Sequence, residues 1–276
     1  MPAGTDSGVT TQVPPAPIGI FDSGVGGLSV LRALHGRLPT ASLLYVADSA
    51  HAPYGDRDAA HVRQRTERVV DHLVDQGARL IVIACNTATA WAIDAMRARH
   101  PEVAFVGVEP GVKPAALLSP TQRFAVMATP ATLASVRYAD LVARHAPGCF
   151  VHPVPCAGLA AAIEQGDAGV AEVDRLLDNY CAPLPGLAID TVVLGCTHYP
   201  FVMDRIAMRL GPGIHLLDTA DAVARRVVEL LAQEGPHPAL AAEAPLRLQS
   251  TGAPDVLSRM AMAGLGRAMH VDTVLL

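Results

Sequence analysis

The chain is poor in aromatic residues, which make up 4% of its 276 positions and include one tryptophan. So few rings leave little material for a base-stacking surface. No basic run occurs, and the formal net charge is −5. A nucleic-acid footprint is therefore not expected. No apolar run approaches the roughly 18 residues that suggest a membrane span. Cysteine is scarce and odd in number: Cys85, Cys149, Cys156, Cys181 and Cys196. No pair has CxxC spacing, which argues against both a disulfide framework and a zinc pattern. That usage points to a reducing, cytoplasmic compartment. Residues 1–17 are rich in Gly, Thr, Ser and Pro and lack the apolar stretch of a signal peptide. A disordered tail is expected over 1–17.

What is present is apolar and periodic. Hydrophobic residues make up 51% of the chain, and the length suffices for two domains of ordinary size. Strands are expected at 18–21, 42–47, 80–84, 103–108, 124–127, 151–154, 191–194 and 214–217. Helices are expected at 26–35, 58–76, 87–99, 131–145, 156–165, 170–180, 201–210 and 219–233. Residues 236–245 read as a Pro/Ala-rich connection, and 246–276 as strand, helix, strand. This βαβα alternation predicts an α/β protein built on parallel sheets with helices on both faces. The halves echo each other. Asp22 closes an apolar run 63 residues before Cys85 (85 − 22), and Thr129 closes one 67 before Cys196 (196 − 129). Two pseudo-equivalent α/β domains facing across a cleft account for that echo.

The two cysteines share a setting. Leu80-Ile81-Val82-Ile83-Ala84 runs into Cys85-Asn86-Thr87, and Thr191-Val192-Val193-Leu194-Gly195 runs into Cys196-Thr197-His198. Each thiol falls just past the C-terminal end of a buried parallel strand, where open α/β sheets bind ligands. Thiols on opposite sides of one carbon can remove a proton from one face and return one to the other. Such chemistry on an amino-acid α-carbon needs a pre-positioned, partly dehydrated base and donors for the carboxylate. A thiolate is large and weakly hydrated, and a helix start or a cationic neighbour lowers its pKa. Asn86 and Thr87 suit the cap of the following helix. His198 is a candidate proton partner for Cys196. Asp22 could orient or deprotonate a thiol, or hold an ammonium group. Asp22-Ser23-Gly24-Val25-Gly26-Gly27 offers backbone N–H groups to an anion at a helix start. It is not a dinucleotide fingerprint, because Ser29 stands where the third glycine belongs. Ala52-Pro53-Tyr54-Gly55 forms a turn whose N–H groups could receive a carboxylate. Cys149, Cys156 and Cys181 lack the strand-end context and read as core.

These segments together resemble the glutamate racemases of the aspartate/glutamate racemase superfamily. The matching stretches are IFDSGVGGLSV (20–30), YVADSAHAPYGDR (45–57), IACNTATA (83–90), MATPATLAS (127–135) and VLGCTHYPF (193–201). The resemblance implies a cofactor-independent, two-base interconversion of L- and D-glutamate that supplies bacterial peptidoglycan synthesis. It implies that Cys85 takes the α-proton of D-glutamate with help from Asp22. Cys196 would take that of L-glutamate with help from His198, and Glu164 matches a family acid near the second thiol. It places Ser23, Asn86, Thr87 and Thr197 on the amino and α-carboxylate groups. It places Pro53, Tyr54, Gly55, Thr129 and Thr132 around the side-chain carboxylate. It further implies two α/β domains, 18–109 plus 218–276 and 110–217, with the site between them and a homodimeric assembly. The family commonly has Gly-Asp-Thr-Ala-Arg where this chain has Ala47-Asp48-Ser49-Ala50-His51.

Rival readings remain at this point. Aspartate racemase shares the two-thiol logic, and side-chain length is a property of the pocket. A one-thiol decarboxylase of the same superfamily is disfavoured by the second cysteine. A two-lobed amino-acid-binding protein would need export and has no use for strand-end thiols. A metal site from Cys85, Cys196 and His198 lacks close ligand pairs.

Overall fold

The computed structural model describes residues 16–234, 240 and 245–276. The expected tail over 1–17 lies outside the described residues except for Ala16 and Pro17. The 236–245 connection does likewise, apart from Leu240 and Pro245. Among the described residues ten strands occur: β1 Ile18–Asp22, β2 Leu43–Ala47, β3 Leu80–Ile83, β4 Ala104–Gly107, β5 Arg123–Ala128, β6 Phe150–Pro155, β7 Thr191–Leu194, β8 His215–Leu217, β9 Leu246–Ser250 and β10 Val271–Thr273. The helices among them are α1 Leu28–Arg37, α2 Ala59–Asp75, α3 Asn86–Arg99, α4 Val112–Leu118, α5 Pro130–Leu133, α6 Val136–His145, α7 Leu159–Glu164, α8 Val170–Cys181, α9 Met203–Leu210, α10 Ala220–Glu234 and α11 Pro254–Leu265. No helix among the described residues is long and apolar enough to cross a membrane.

The strands form two wholly parallel sheets. The first runs β10-β9-β2-β1-β3-β4 and the second β6-β5-β7-β8. The orders β2-β1-β3-β4 and β6-β5-β7-β8 are the same arrangement, so the halves repeat one topology. The order in which successive strands are added reverses between β1 and β3 and again between β5 and β7. Those are the switch points at which parallel sheets open a crevice beyond their carboxyl ends. The register repeats too. Ala84 N–H donates to Phe21 O at 2.7 Å, and Gly195 N–H to Met127 O at 2.7 Å. Each hydrogen bond sits one residue before a thiol. Cys85 and Cys196 therefore occupy matching positions of the two sheets.

Every residue of β1, β2, β3 and β7 is buried, as apolar strands covered on both faces should be. One face of the first sheet packs on α1, α10 and α11, the other on α2 and α3. The second sheet packs on α7, α8 and α9 and, opposite, on α4 and α6.

Several local expectations change. The helix expected over 131–145 is two, α5 and α6. Ser135 is extended at the break, and its Oγ accepts the Tyr138 N–H at 3.1 Å, starting α6 afresh. The α4 helix was not expected, because seven residues containing Pro114 give too little periodicity to read. The helix expected from Cys156 starts at Leu159, after Gly158 turns the chain through φ +74°. The cap of α3 is Cys85 itself rather than Asn86 or Thr87. Its Sγ accepts the Ala88 N–H at 3.4 Å.

Candidate active site

The carboxyl ends of β1, β3, β5 and β7 meet at one small cavity. Its walls are Ser23, Pro53, Tyr54, Gly55, Cys85, Asn86, Thr87, Thr129, Ala160, Cys196, Thr197 and His198. Asp22, Glu164 and Thr132 stand one hydrogen bond behind that wall. Ala160, on α7, is the one lining residue that sequence reasoning missed, because a lone alanine carries no chemical signal. A larger cavity of ≈ 390 Å³ lies between α3 and α6 and contains neither thiol nor any of these residues.

On the β1–β3 side, Cys85 is buried, with Ser23 Oγ 3.6 Å from its Sγ. Ser23 Oγ in turn donates to Asp22 Oδ1 at 3.5 Å. The hydroxyl of Ser23, not the carboxylate of Asp22, is thus the group against the thiol. Burial pushes the Cys85 thiol up to about 12, and the Asp22 charge pushes the same way. Asp22 accepts the Gly24 N–H at 2.8 Å and the Thr197 hydroxyl at 2.9 Å. Burial pushes its carboxyl up to about 6, against the lowering by His198 and these two donors.

On the β7 side, His198 Nδ1 lies 3.6 Å from Cys196 Sγ and Nε2 lies 2.6 Å from Glu164 Oε1. Burial disfavours a charged imidazole here. The sulfur and the carboxylate outweigh it and raise the His198 pKa well above the ordinary value. Burial likewise opposes the Glu164 charge. His198 and the Val25 N–H, 2.8 Å away, hold its carboxyl below the usual range. Two N–H groups of the glycine-rich turn, those of Gly24 and Val25, are therefore occupied by the protein's own carboxylates.

That turn also brings the two sheets' loops together. A Cβ on Gly24 would lie 1.9 Å from Glu164 Oε1, and one on Gly26 2.4 Å from His198 Nδ1. Only hydrogen at these two positions permits the approach. Ser29, the residue that breaks the dinucleotide pattern, donates to the Gly26 and Thr197 carbonyls at 2.9 and 3.3 Å.

Three hydroxyls close the far end. Thr87 Oγ1 lies 2.9 Å from Thr129 Oγ1 and 3.2 Å from Thr132 Oγ1, and Thr129 and Thr132 are 2.9 Å apart. The Gly55 carbonyl accepts the Ala131 N–H at 3.1 Å, tying the Pro53–Gly55 turn to α5. Asn86 Oδ1 is buried in the wall without a hydrogen-bond partner. Tyr54 lines the cavity, but its hydroxyl points away and donates to Asp48 Oδ2 at 2.6 Å. Buried Asp48 also receives Arg65 Nε and Nη2 at 2.9 and 2.8 Å and Thr251 Oγ1 at 2.8 Å. His51, where the family commonly has arginine, still reaches Asp48 at 3.1 Å.

Two α/β lobes of one topology, each presenting a thiol from its switch point to a shared cavity, define a two-thiol cleft protein. Residues 28–227 match the family model described as Asp/Glu/Hydantoin racemase. The chain belongs to this racemase family. It is 45% identical over 245 residues to a glutamate racemase of Pseudomonas paraeruginosa, covering 89% of this chain and 92% of the relative. A glutamate racemase isoform from Bacillus anthracis superposes with a TM-score of 0.85 at 30% identity, over 95% of this chain and 98% of that one. A Francisella tularensis glutamate racemase in complex with D-glutamate gives 0.82 at 28% identity, over 95% and 98%.

Proposed function

We propose that the chain interconverts L- and D-glutamate without a cofactor, with Cys85 and Cys196 as the two bases. The observation that carries this reading is the placement of two buried thiols at matching register positions of facing sheets, on one cavity. Glutamate as substrate is supported by the names of the relatives and by the D-glutamate in the Francisella complex.

From L-glutamate, Cys196 takes the α-proton as thiolate and becomes a thiol. The His198 imidazolium 3.6 Å away stabilises the thiolate beforehand, and Glu164 keeps that imidazole charged. Cys85 then gives its proton to the opposite face and is left as thiolate. Burial and the Asp22 charge favour the protonated form of Cys85, the form this step needs as donor. From D-glutamate the roles reverse, with Asp22 assisting Cys85 through Ser23. The unpartnered Asn86 Oδ1 suits the substrate ammonium, and Ser23, Thr87 and Thr197 complete the amino-acid end. Pro53, Tyr54 and Gly55 with Thr129 and Thr132 surround the side-chain carboxylate. Held this way, the carbanion forms against fixed donors in a water-poor site. The product would serve bacterial peptidoglycan synthesis in the cytoplasm, the enzyme acting as a homodimer.

Replacing either thiol tests the assignment. Cys85→Ser and Cys196→Ser should each abolish racemisation with the fold retained, and a near wild-type rate in either removes that cysteine as a base. In D₂O, L-glutamate should yield deuterium first in the D product. Equal early label in both pools points instead to one polyprotic base. Aspartate run alongside settles side-chain length.

A further inference from the structure

Tyr45 lies in the middle of β2, wholly buried, next to Ile20 of β1 in register. Its hydroxyl donates to the Gly24 carbonyl at 2.6 Å. That carbonyl belongs to the peptide whose N–H is Val25's, and in a trans peptide the two point in opposite directions. Fixing the carbonyl therefore aims the Val25 N–H. It donates at 2.8 Å to Glu164 Oε1, the same oxygen that meets His198 Nε2 at 2.6 Å. The ring is wholly buried and packs against Gly27, where an added Cβ would lie 3.0 Å from both Tyr45 Cε2 and its hydroxyl. Burial and the charges of Asp22 and Glu164 hold the phenol protonated, so it is a permanent donor. Glycine at 24 has no side chain to resist rotation of the peptide. With the carbonyl released, the peptide can turn and present an oxygen to the Glu164 carboxylate, which repels it.

We infer that Tyr45 is a positioning residue for the Cys196 side of the site, acting through the Gly24–Val25 peptide and Glu164 on His198. This rests on the two-thiol reading above. It never touches substrate, and its effect passes from the first sheet to the second by one peptide unit.

The test is a double-mutant cycle on glutamate racemisation with the full chain. Wild type is the control: if it does not racemise glutamate, the two-thiol reading fails and Tyr45 is not at issue. Given an active wild type, Tyr45→Phe should lower kcat about ten-fold, the effect of one lost orienting hydrogen bond, with KM unchanged. In a Glu164→Ala background the same change should lower kcat no further. Amide exchange at Val25 should quicken in Tyr45→Phe. An unchanged kcat, or a loss that adds in full to that of Glu164→Ala, would make Tyr45 a core residue only and overturn the inference. If Tyr45→Phe does not fold, p-aminophenylalanine at position 45 keeps a weaker donor in place. It should lower kcat partway, and a wild-type kcat there overturns the inference as well.

Discussion

Gly26→Ala is the sharpest probe of how closely the two lobes must meet. The new Cβ would stand 2.4 Å from His198 Nδ1, 2.5 Å from Thr197 Oγ1 and 2.7 Å from His198 Cε1. Ordinary contact begins at 3.4 Å, so the shortfall against the imidazole is 1.0 Å (3.4 − 2.4). Neither neighbour can swing aside. His198 is held between Cys196 and Glu164, and Thr197 donates to Asp22. The 26–27 turn and the 196–198 loop must therefore part by about 1 Å, and a displacement of that size costs about 10²-fold in rate. Overpacking of this kind costs about 1–3 kcal/mol of stability, too little to unfold an ordinary domain. Gly36→Ala is the matched control. Gly36 is exposed on α1 with nothing within 4 Å of its added Cβ. It should stabilise the protein by about 0.5–1 kcal/mol with no change in rate. Racemisation followed by polarimetry and melting followed by circular dichroism read both variants. A folded Gly26→Ala enzyme with wild-type kcat would refute the close-approach argument.

Other outcomes follow from the same geometry. Asp22 is raised to about 6 in the fold from its ordinary value of 3.8, so the native state binds its proton more tightly than the unfolded chain. Stability therefore falls as pH rises from about 4 to 6, by roughly 3 kcal/mol at most. Asp22→Asn should remove that fall, raising the melting temperature above pH 6 but not below 4 while slowing racemisation. A melting curve as pH-dependent as wild type would contradict it. Arg65→Met leaves the Asp48 carboxylate buried without its cation and should cost about 3–5 kcal/mol in urea unfolding; a cost near zero would mean that Tyr54 and Thr251 suffice for Asp48. Thr87→Val removes a hydroxyl assigned to the amino-acid end and should raise KM for glutamate more than it lowers kcat, whereas an unchanged KM would place the substrate α-carboxylate elsewhere.

Sequence and structure agree where the signal is local. Cys85 and Cys196 stand out because each ends an unbroken apolar run, and such runs are what strands covered on both faces require. The α/β class follows from the same runs alternating with helical stretches. What escapes a linear reading depends on contacts between distant positions. Val25 meets Glu164 across 139 residues, and Thr197 meets Asp22 across 175. Nothing around Tyr45 marks it as more than a core aromatic until Gly24 is folded beneath its hydroxyl. Asp48 and Arg65, 17 apart, belong to different elements, so their pairing has no helical spacing to betray it. The α5–α6 break hid for the opposite reason: Ser135 is a weak interruption, and only its cap to Tyr138 reveals a restart.

The unlike surroundings of the two sulfurs have a thermodynamic limit. Glutamate enantiomers have equal free energies in water, so a racemase cannot favour either one at equilibrium. A hydroxyl and a carboxylate beside one sulfur, and an imidazolium beside the other, can still make binding and turnover differ between the mirror images. Every gain in kcat for one hand must then be matched by a weaker hold on that same hand.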